Sequence, residues 1–315
     1  MWRFIARRVV VLIATLLVVS VLAFLIPYVG TADPARTILQ ARVADKALDP
    51  ATVDALRAEL GLDQPLPVQY LDWLRHAVTG DFGFSFTSKA PVAQLIANAF
   101  SVSVTLALTA LLLALVLALP LGIFAAMRAG REVDHGVTIL TQVLVALPEY
   151  WVAPVSILVF ALTLGWLPSA GWRGPAWVIL PACVLALRPL AYFARVARAS
   201  MVEVLNAPYM VAARARGLGT AGAISRHGLR NGMTPVMTLF SLWLASLIGG
   251  SVVVEVIFAV PGMGRLLYEA VVNRDIPLIQ AGIVSIVFVV VVINTLTDLA
   301  YAMLNPAVTV SDGTA

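Results

Sequence analysis

The chain has 315 residues, of which 61% are hydrophobic and 12% charged, with a formal net charge of +4 and a mean hydropathy of +0.94. Soluble domains carry roughly 25% charged residues. This composition therefore excludes an ordinary water-solvated globule and makes lipid the solvent for most of the surface.

A helix that crosses a bilayer needs about 20 mostly apolar residues, because in hydrocarbon each backbone amide must find its partner within its own segment. About six runs qualify, at Val9–Pro27, Ser101–Met127, Gly136–Leu164, Trp177–Ala197, Thr234–Val260 and Leu278–Leu304. The first follows a basic start, "MWRFIARR". Its apolar core outruns a signal-peptide h-region and no small-x-small site follows cleanly, so the spacing predicts a retained span.

Residues 28–100 differ from the rest, with eight acids against six bases among turn-forming residues. They read as a compact extracytoplasmic cap of short helices. "DPATVDALRAELGL" predicts one helix, with Asp49 or Thr52 as cap, Val53, Leu56 and Leu60 on one face, and Gly61 as terminator. "PVQYLDWLRHAVTG" predicts another, with Tyr70, Leu71, Leu74 and Val78 on its apolar side. Residues 1–27 form a cytoplasmic segment plus the first span, 101–304 a core of five further spans, and 305–315 a short polar tail expected to be disordered.

Arginines in short loops prefer the cytoplasm. Arg3, Arg7 and Arg8 precede span one, Arg128 and Arg131 follow span two, and Arg195, Arg198, Arg214, Arg216, Arg226 and Arg230 cluster between spans four and five. The alternate loops carry only Arg173, and Arg265 and Arg274 balanced by Glu269 and Asp275. Both termini are thereby predicted to be cytoplasmic.

The basic loop holds no acid from Asn206 to Pro235. In it, "NAPYMVAARARGLG" predicts a short helix, with Asn206 as N-cap, Pro208 in the first turn and Gly217 as the left-handed stop. About ten residues do not hold a helix alone in water, so this one needs a docking surface. An anchor on anionic lipid headgroups is the other reading of the same arginines.

"AARARGL" followed by "RHGLRNGMTPV" resembles the EAA loop of the transmembrane subunits of ATP-binding-cassette importers, in the form used by the dipeptide/oligopeptide permeases. Ala212, Ala213, Gly217 and Leu229 match the general pattern. Val211 stands for its Glu, His227 for its Ile and Arg230 for its first Pro, while Arg226, His227, Leu229, Arg230 and Asn231 fit the peptide-permease branch. "GLDQPLPVQYLDWLRHAVTGDFGFSF" is similar to the outer-loop signature of the B-type subunit. "GGSVVVEVIFAVPGMGRLLYEAVVNRDIPLIQA" and "DLAYAMLNP" resemble the exit of span five and the two ends of span six. "TADP" and "NPAVT" depart from the usual Gly-Asp-Pro and Asp-Pro-Arg.

The resemblance implies an all-α integral membrane protein with the type I importer fold, six transmembrane helices and a helical extracytoplasmic cap between the first and second. It implies a permease that carries di- or oligopeptides inward beside a second homologous permease subunit, two cytoplasmic ATPase subunits and an extracytoplasmic substrate-binding protein. Nickel, haem or glycosides are alternative cargo, and an ATP-independent carrier is a further alternative. Ala212, Ala213, Arg214, Arg216, Gly217, Leu218, His227, Leu229, Arg230 and Asn231 would then form the coupling helix and its flank, seated in an ATPase cleft. Trp73, Asp81 and Phe82 are candidates for docking the binding protein, or for folding the cap. The chain is not expected to be an enzyme or to hold a cofactor, and ATP and Mg would belong to the partner subunits. Its two lysines, Lys46 and Lys89, lie in the outer segment, away from any phosphate-cradling loop.

Cys183 is the only cysteine and lies in an apolar run, which leaves no disulfide framework or thiolate metal site. His76, His135 and His227 are scattered, so no metal is expected. Charges inside spans are costly and are functional candidates by default. Glu149 and Arg188 fall near the middle of spans three and four, where they would pair structurally or share the translocation path. Ser241, Trp243 and Ser246 on span five could line that path or pack, and Glu255 could serve an outer gate or a helix end. Asn294, Thr295 and Asp298 read as interhelical hydrogen-bonding groups.

Overall fold

The computed structural model describes residues 2–28, 35–36, 39, 49–59 and 61–304. Among them the chain runs through α1 (Trp2–Leu25), α2 (Pro50–Glu59), α3 (Leu66–Val78), α4 (Val92–Met127), α5 (Glu132–Ala146), α6 (Glu149–Ser156) and α7 (Pro175–Asn206). It continues through α8 (Pro208–Ala215), α9 (Thr220–Ala223), α10 (Leu229–Gly232), α11 (Thr234–Gly250), α12 (Val252–Ile257), α13 (Met263–Val272) and α14 (Ile276–Leu304). Two stretches widen to π geometry, Ile157–Thr163 and Ile224–Gly228. The chain divides into two compact units, Met1–Val102 with Pro261–Ala315, and Ser103–Val260.

Among the described residues four helices are long and apolar enough to cross a membrane, at Ala6–Tyr28, Val92–Met127, Pro175–Asn206 and Ile276–Thr297. The third predicted span is not one rod. Pro148 forces Leu147 out of helical geometry (φ −74°, ψ 118°), and the two halves on either side are bent by 94°. The fifth predicted span is also interrupted. Its helix α11 has 17 residues, about 26 Å at 1.5 Å per residue, and α12 restarts beyond Ser251.

In the first unit α1 lies along α14 and also touches α3. Val92, Ile96 and Ala99 of α4 pack with Met263 and Ala270 of α13 and with Leu278, Ile279 and Ala281 of α14. The stretch expected as a cap thus shares its core with the two C-terminal helices. At Gly282 a Cβ would fall 2.3 Å from Leu267 Cδ2, so the space over this glycine is filled by the Leu267 side chain of α13. Asp49 accepts the first turn of α2 through Ala51 N (3.4 Å), and Gly61 closes that region at φ 63°, while Leu60 lies outside the described residues. The predicted apolar side of α3 turns inward only in part: Leu71 and Val78 are 62% and 79% exposed, whereas Tyr70, with Trp73, packs ring to ring with Phe24.

The second unit is built round α7, which is buried on most of its circumference by α5, α6 and α11. Apolar contact between helices gains little in lipid, whose tails are equally apolar, so close approach and hydrogen bonding carry the association. Gly122 of α4 provides that approach: a Cβ there would sit 2.6 Å from the Ala194 carbonyl oxygen and 2.8 Å from Ala197 Cβ. Asp134 of α5 provides the hydrogen bonding. Its buried carboxylate accepts both Nε and Nη2 of Arg198 on α7, and Gly130 N donates to the same group at 2.9 Å.

Candidate functional site

Helix α8 begins one residue later than predicted. Ala207 is its N-cap (φ −67°, ψ 145°) with no side-chain bond, whereas Asn206 ends α7 and donates Nδ2 to Val202 O at 2.9 Å. Pro208 opens the helix without loss, since a first-turn N–H has no intrahelical partner in any case. Gly217 closes the segment at φ 89°, and a Cβ there would meet nothing within 4 Å. The demand for glycine is therefore conformational and not steric.

The docking surface that this short helix requires lies partly within its own chain. Met210 and Ala213 are fully buried against Met201, Val204, Ala223 and Ile224. Ala213 consequently faces inward on the expected coupling helix, and Leu218 and Leu229 pack against the same cluster. The opposite face, with Tyr209, Val211, Ala212, Arg214 and Arg216, is exposed. Arg214 reaches back to the Leu205 carbonyl at 3.1 Å, satisfying one of the last acceptors of α7. His227 is half-buried on a π turn, and its carbonyl accepts Asn231 Nδ2 at 3.2 Å. The side chain of Arg230 lies outside the described residues.

A second cluster lies at the break in span three. Glu149 stands in the first turn of α6, just after Pro148, where the N-terminal end of a helix favours negative charge. Its Oε1 lies 3.8 Å from Arg188 Nε, with the side chains 23% and 44% exposed respectively. The two residues that the sequence singled out as intramembrane charges are thus brought together, but loosely and beside open surface. Ile179, Cys183, Arg188, Tyr192 and Arg195 form one uncovered stripe along α7. Tyr192 on that stripe carries the Arg195 guanidinium at 4.6 Å and meets the Trp243 ring of α11 at 5.5 Å.

The other path candidates divide. Ser246 is exposed, and Ser241 is half-buried with its hydroxyl turned back to Met237 O at 3.2 Å. Glu255 is fully buried, its Oε1 accepting Ser103 Oγ and Ser251 Oγ, each at 2.7 Å. It ties α12 to α4, which favours the helix-end reading of Glu255 over the outer gate. Thr295 bonds Val291 O at 2.7 Å in its own helix and not a neighbour. The side chain of Asp298 lies outside the described residues.

In the first unit Trp73 packs in the aromatic cluster and Phe82 against the α13–α14 core, so both turn inward. Asp81 is exposed and accepts Gly83 N at 3.0 Å. The residue that sequence reasoning missed is Asp275. Its buried carboxylate takes Ser85 Oγ (2.5 Å), Phe86 N (3.1 Å) and Thr87 N (3.1 Å), holding a turn 190 residues away in sequence. In the sequence it read only as the neutral partner of Arg274. Among the described residues no group of three or more His, Cys, Asp or Glu could hold a metal ion.

Two family profiles match the chain. One, described as "Binding-protein-dependent transport system inner membrane component", covers residues 118–310, and the N-terminal profile of such membrane components covers residues 1–109. Putative peptide transport system permease proteins of Brucella abortus (strain 2308) and Brucella suis biovar 1 are each 38% identical over 312 residues, covering 96% of this chain and 98% of the relative. A glutathione transport system permease protein of Escherichia coli (strain K12) is 39% identical over 308 residues, 98% of this chain and 99% of its own length.

Proposed function

We infer the function from one premise: the chain belongs to the family of binding-protein-dependent transport system inner membrane components. It is thus a multi-pass membrane subunit of a multi-component transport system, and it is a permease and not itself a catalyst. Within that frame it imports di- or oligopeptides across the cytoplasmic membrane, a reading supported by near full-length similarity to permeases named for peptide and glutathione transport. A second, homologous permease subunit completes the path, two cytoplasmic ATPase subunits bind ATP and Mg, and an extracytoplasmic protein delivers the cargo to the surface around Asp81. Both termini are cytoplasmic.

The observation that carries the mechanism is the two-sided packing of α8. One face is locked into the chain through Met210 and Ala213, and the other offers Val211, Ala212, Arg214 and Arg216 to a partner. Movement of an ATPase subunit on that outer face passes through the inner face to Met201 and Val204 of α7, and so to the helix whose open stripe bears Arg188. Such rigid-body transfer rocks the spans between inward-open and outward-open arrangements. Glu149 and Arg188 lie on the path between the two permeases, their loose pairing leaving each able to exchange its partner for cargo charge.

Gly217→Val tests the coupling. Because nothing surrounds the site, the substitution acts only by disfavouring φ 89°, most strongly for a β-branched residue. The expected outcome is an inserted, assembled complex whose ATPase no longer responds to cargo and whose peptide uptake falls at least about tenfold, equivalent to about 1.4 kcal/mol. Normal cargo-stimulated turnover in that variant would refute the role given to α8.

A further inference from the structure

A cavity of about 650 Å³ opens within the first unit, between α3, the turn after it and the start of α14. Nothing in the established family role assigns it. One part of its wall is aromatic, with Phe24 against Tyr28 and Trp73 at ring separations of 5.5 and 6.1 Å. Another part carries charge of both signs: Asp72 and Asp81 on one side of the sequence and Lys89 on the other.

Lys89 is held in an unusual way. Its backbone is left-handed at φ 59°, a conformation that a lysine adopts only when its surroundings dictate it. The surroundings here are a closed turn: Lys89 N bonds Ser85 O at 3.1 Å and Ser85 N bonds Ala90 O at 3.0 Å. Asp275 fixes that turn from beneath through Ser85, Phe86 and Thr87. An ammonium is thereby mounted on a rigid base at the rim of an aromatic cavity. Among the described residues no carboxylate lies within 4.0 Å of it.

We propose that this cavity binds a short zwitterionic peptide, its carboxylate at Lys89, its ammonium at Asp72 or Asp81, and its side chains against the aromatic wall. The volume lies in the range of small-ligand sites, which combine apolar walls with a few placed polar groups. An inorganic anion would have no use for the aromatic wall or the acids, and an acyl chain none for the three charges. The proposal rests on the reading of this subunit as a peptide importer and names a cargo subsite within it, separate from the Glu149–Arg188 pair.

The test uses the full chain with its co-purifying subunits in lipid nanodiscs, without binding protein, titrated with trialanine. Binding is read from Trp73 fluorescence, taken as the difference from a Trp73→Phe variant. Trialanine is expected to give a saturable signal, and its N-acetylated, C-amidated form to bind about a hundredfold more weakly, the loss of two charge-assisted contacts at about tenfold each. Lys89→Asn removes the charge while tolerating the left-handed backbone; it should weaken trialanine about tenfold and leave the blocked form unchanged. Equal binding of the two peptides, an indifferent Lys89→Asn variant, or no Trp73-dependent signal would each overturn the assignment. ATP-driven uptake of labelled tripeptide by wild type separates the two readings: uptake without cavity binding removes the subsite alone, and absence of peptide uptake removes the importer reading beneath it.

Discussion

Gly122 and Gly282 look alike in the sequence, each a glycine within an apolar helix, yet the atoms they face make them unequal. A Cβ at Gly122 meets a backbone carbonyl at 2.6 Å, which yields only if α4 and α7 separate. A Cβ at Gly282 meets the flexible end of Leu267, which can choose another rotamer. Gly122→Ala should therefore cost about 1–3 kcal/mol and Gly282→Ala under about 1 kcal/mol, read as the shift in thermal unfolding midpoint of the purified subunit. Similar shifts for both would mean that the α4–α7 contact is more compliant than this geometry allows. Neither environment was legible beforehand, because a glycine names the absence of a side chain and not what occupies the space. Glu255 was opaque for the same reason, since the serines that satisfy it come from Ser103 and Ser251, only one of which is near it in sequence.

Among the elements, length and apolarity foretold the long helices well, because those properties are local. The interruptions were less legible. Pro148 breaks a span, while Pro120, Pro181 and Pro189 sit inside α4 and α7 without ending them, so the residue type alone could not say which proline would win. The face of α3 was legible only in part, with Tyr70 inward as expected and Leu71 and Val78 exposed, because both of its sides are apolar and partner rings decided the rotation. Span three expected as a continuous rod would have placed Glu149 mid-helix; the bend puts it at a helix start, where it meets Arg188. If that pair lies on the path, Arg188→Ala should lower peptide uptake at least about tenfold while subunit assembly, judged by co-purification, stays intact. Loss of assembly together with uptake would make the pair a structural tie between α6 and α7.

At the scale of the molecule, the family was legible from motifs in order along nearly the whole chain, whereas the grouping into units was not. Residues 28–100 look independent in composition, but their core is completed by α13 and α14, which contacts of high sequence separation alone reveal. Membrane orientation can be tested with the single cysteine. In a Cys183→Ser background, Ser225→Cys and Ser88→Cys place thiols at two exposed positions. An impermeant maleimide added to intact cells should label the second and leave the first until the membrane is opened. The reverse order would invert the positive-inside assignment and with it the side on which α8 is proposed to meet an ATPase.

Because α8 is seated by Met210 and Ala213 in a patch that α7 shares, the proposed coupling would use it as a lever clamped at its root and not as a handle on a string. A slack connection would dissipate a push as local wobble. Under the coupling proposed above, this one would pass a push at the surface on as tilt of a helix 32 residues long, and the stiffness of that joint would set how much of each stroke arrives at the far end.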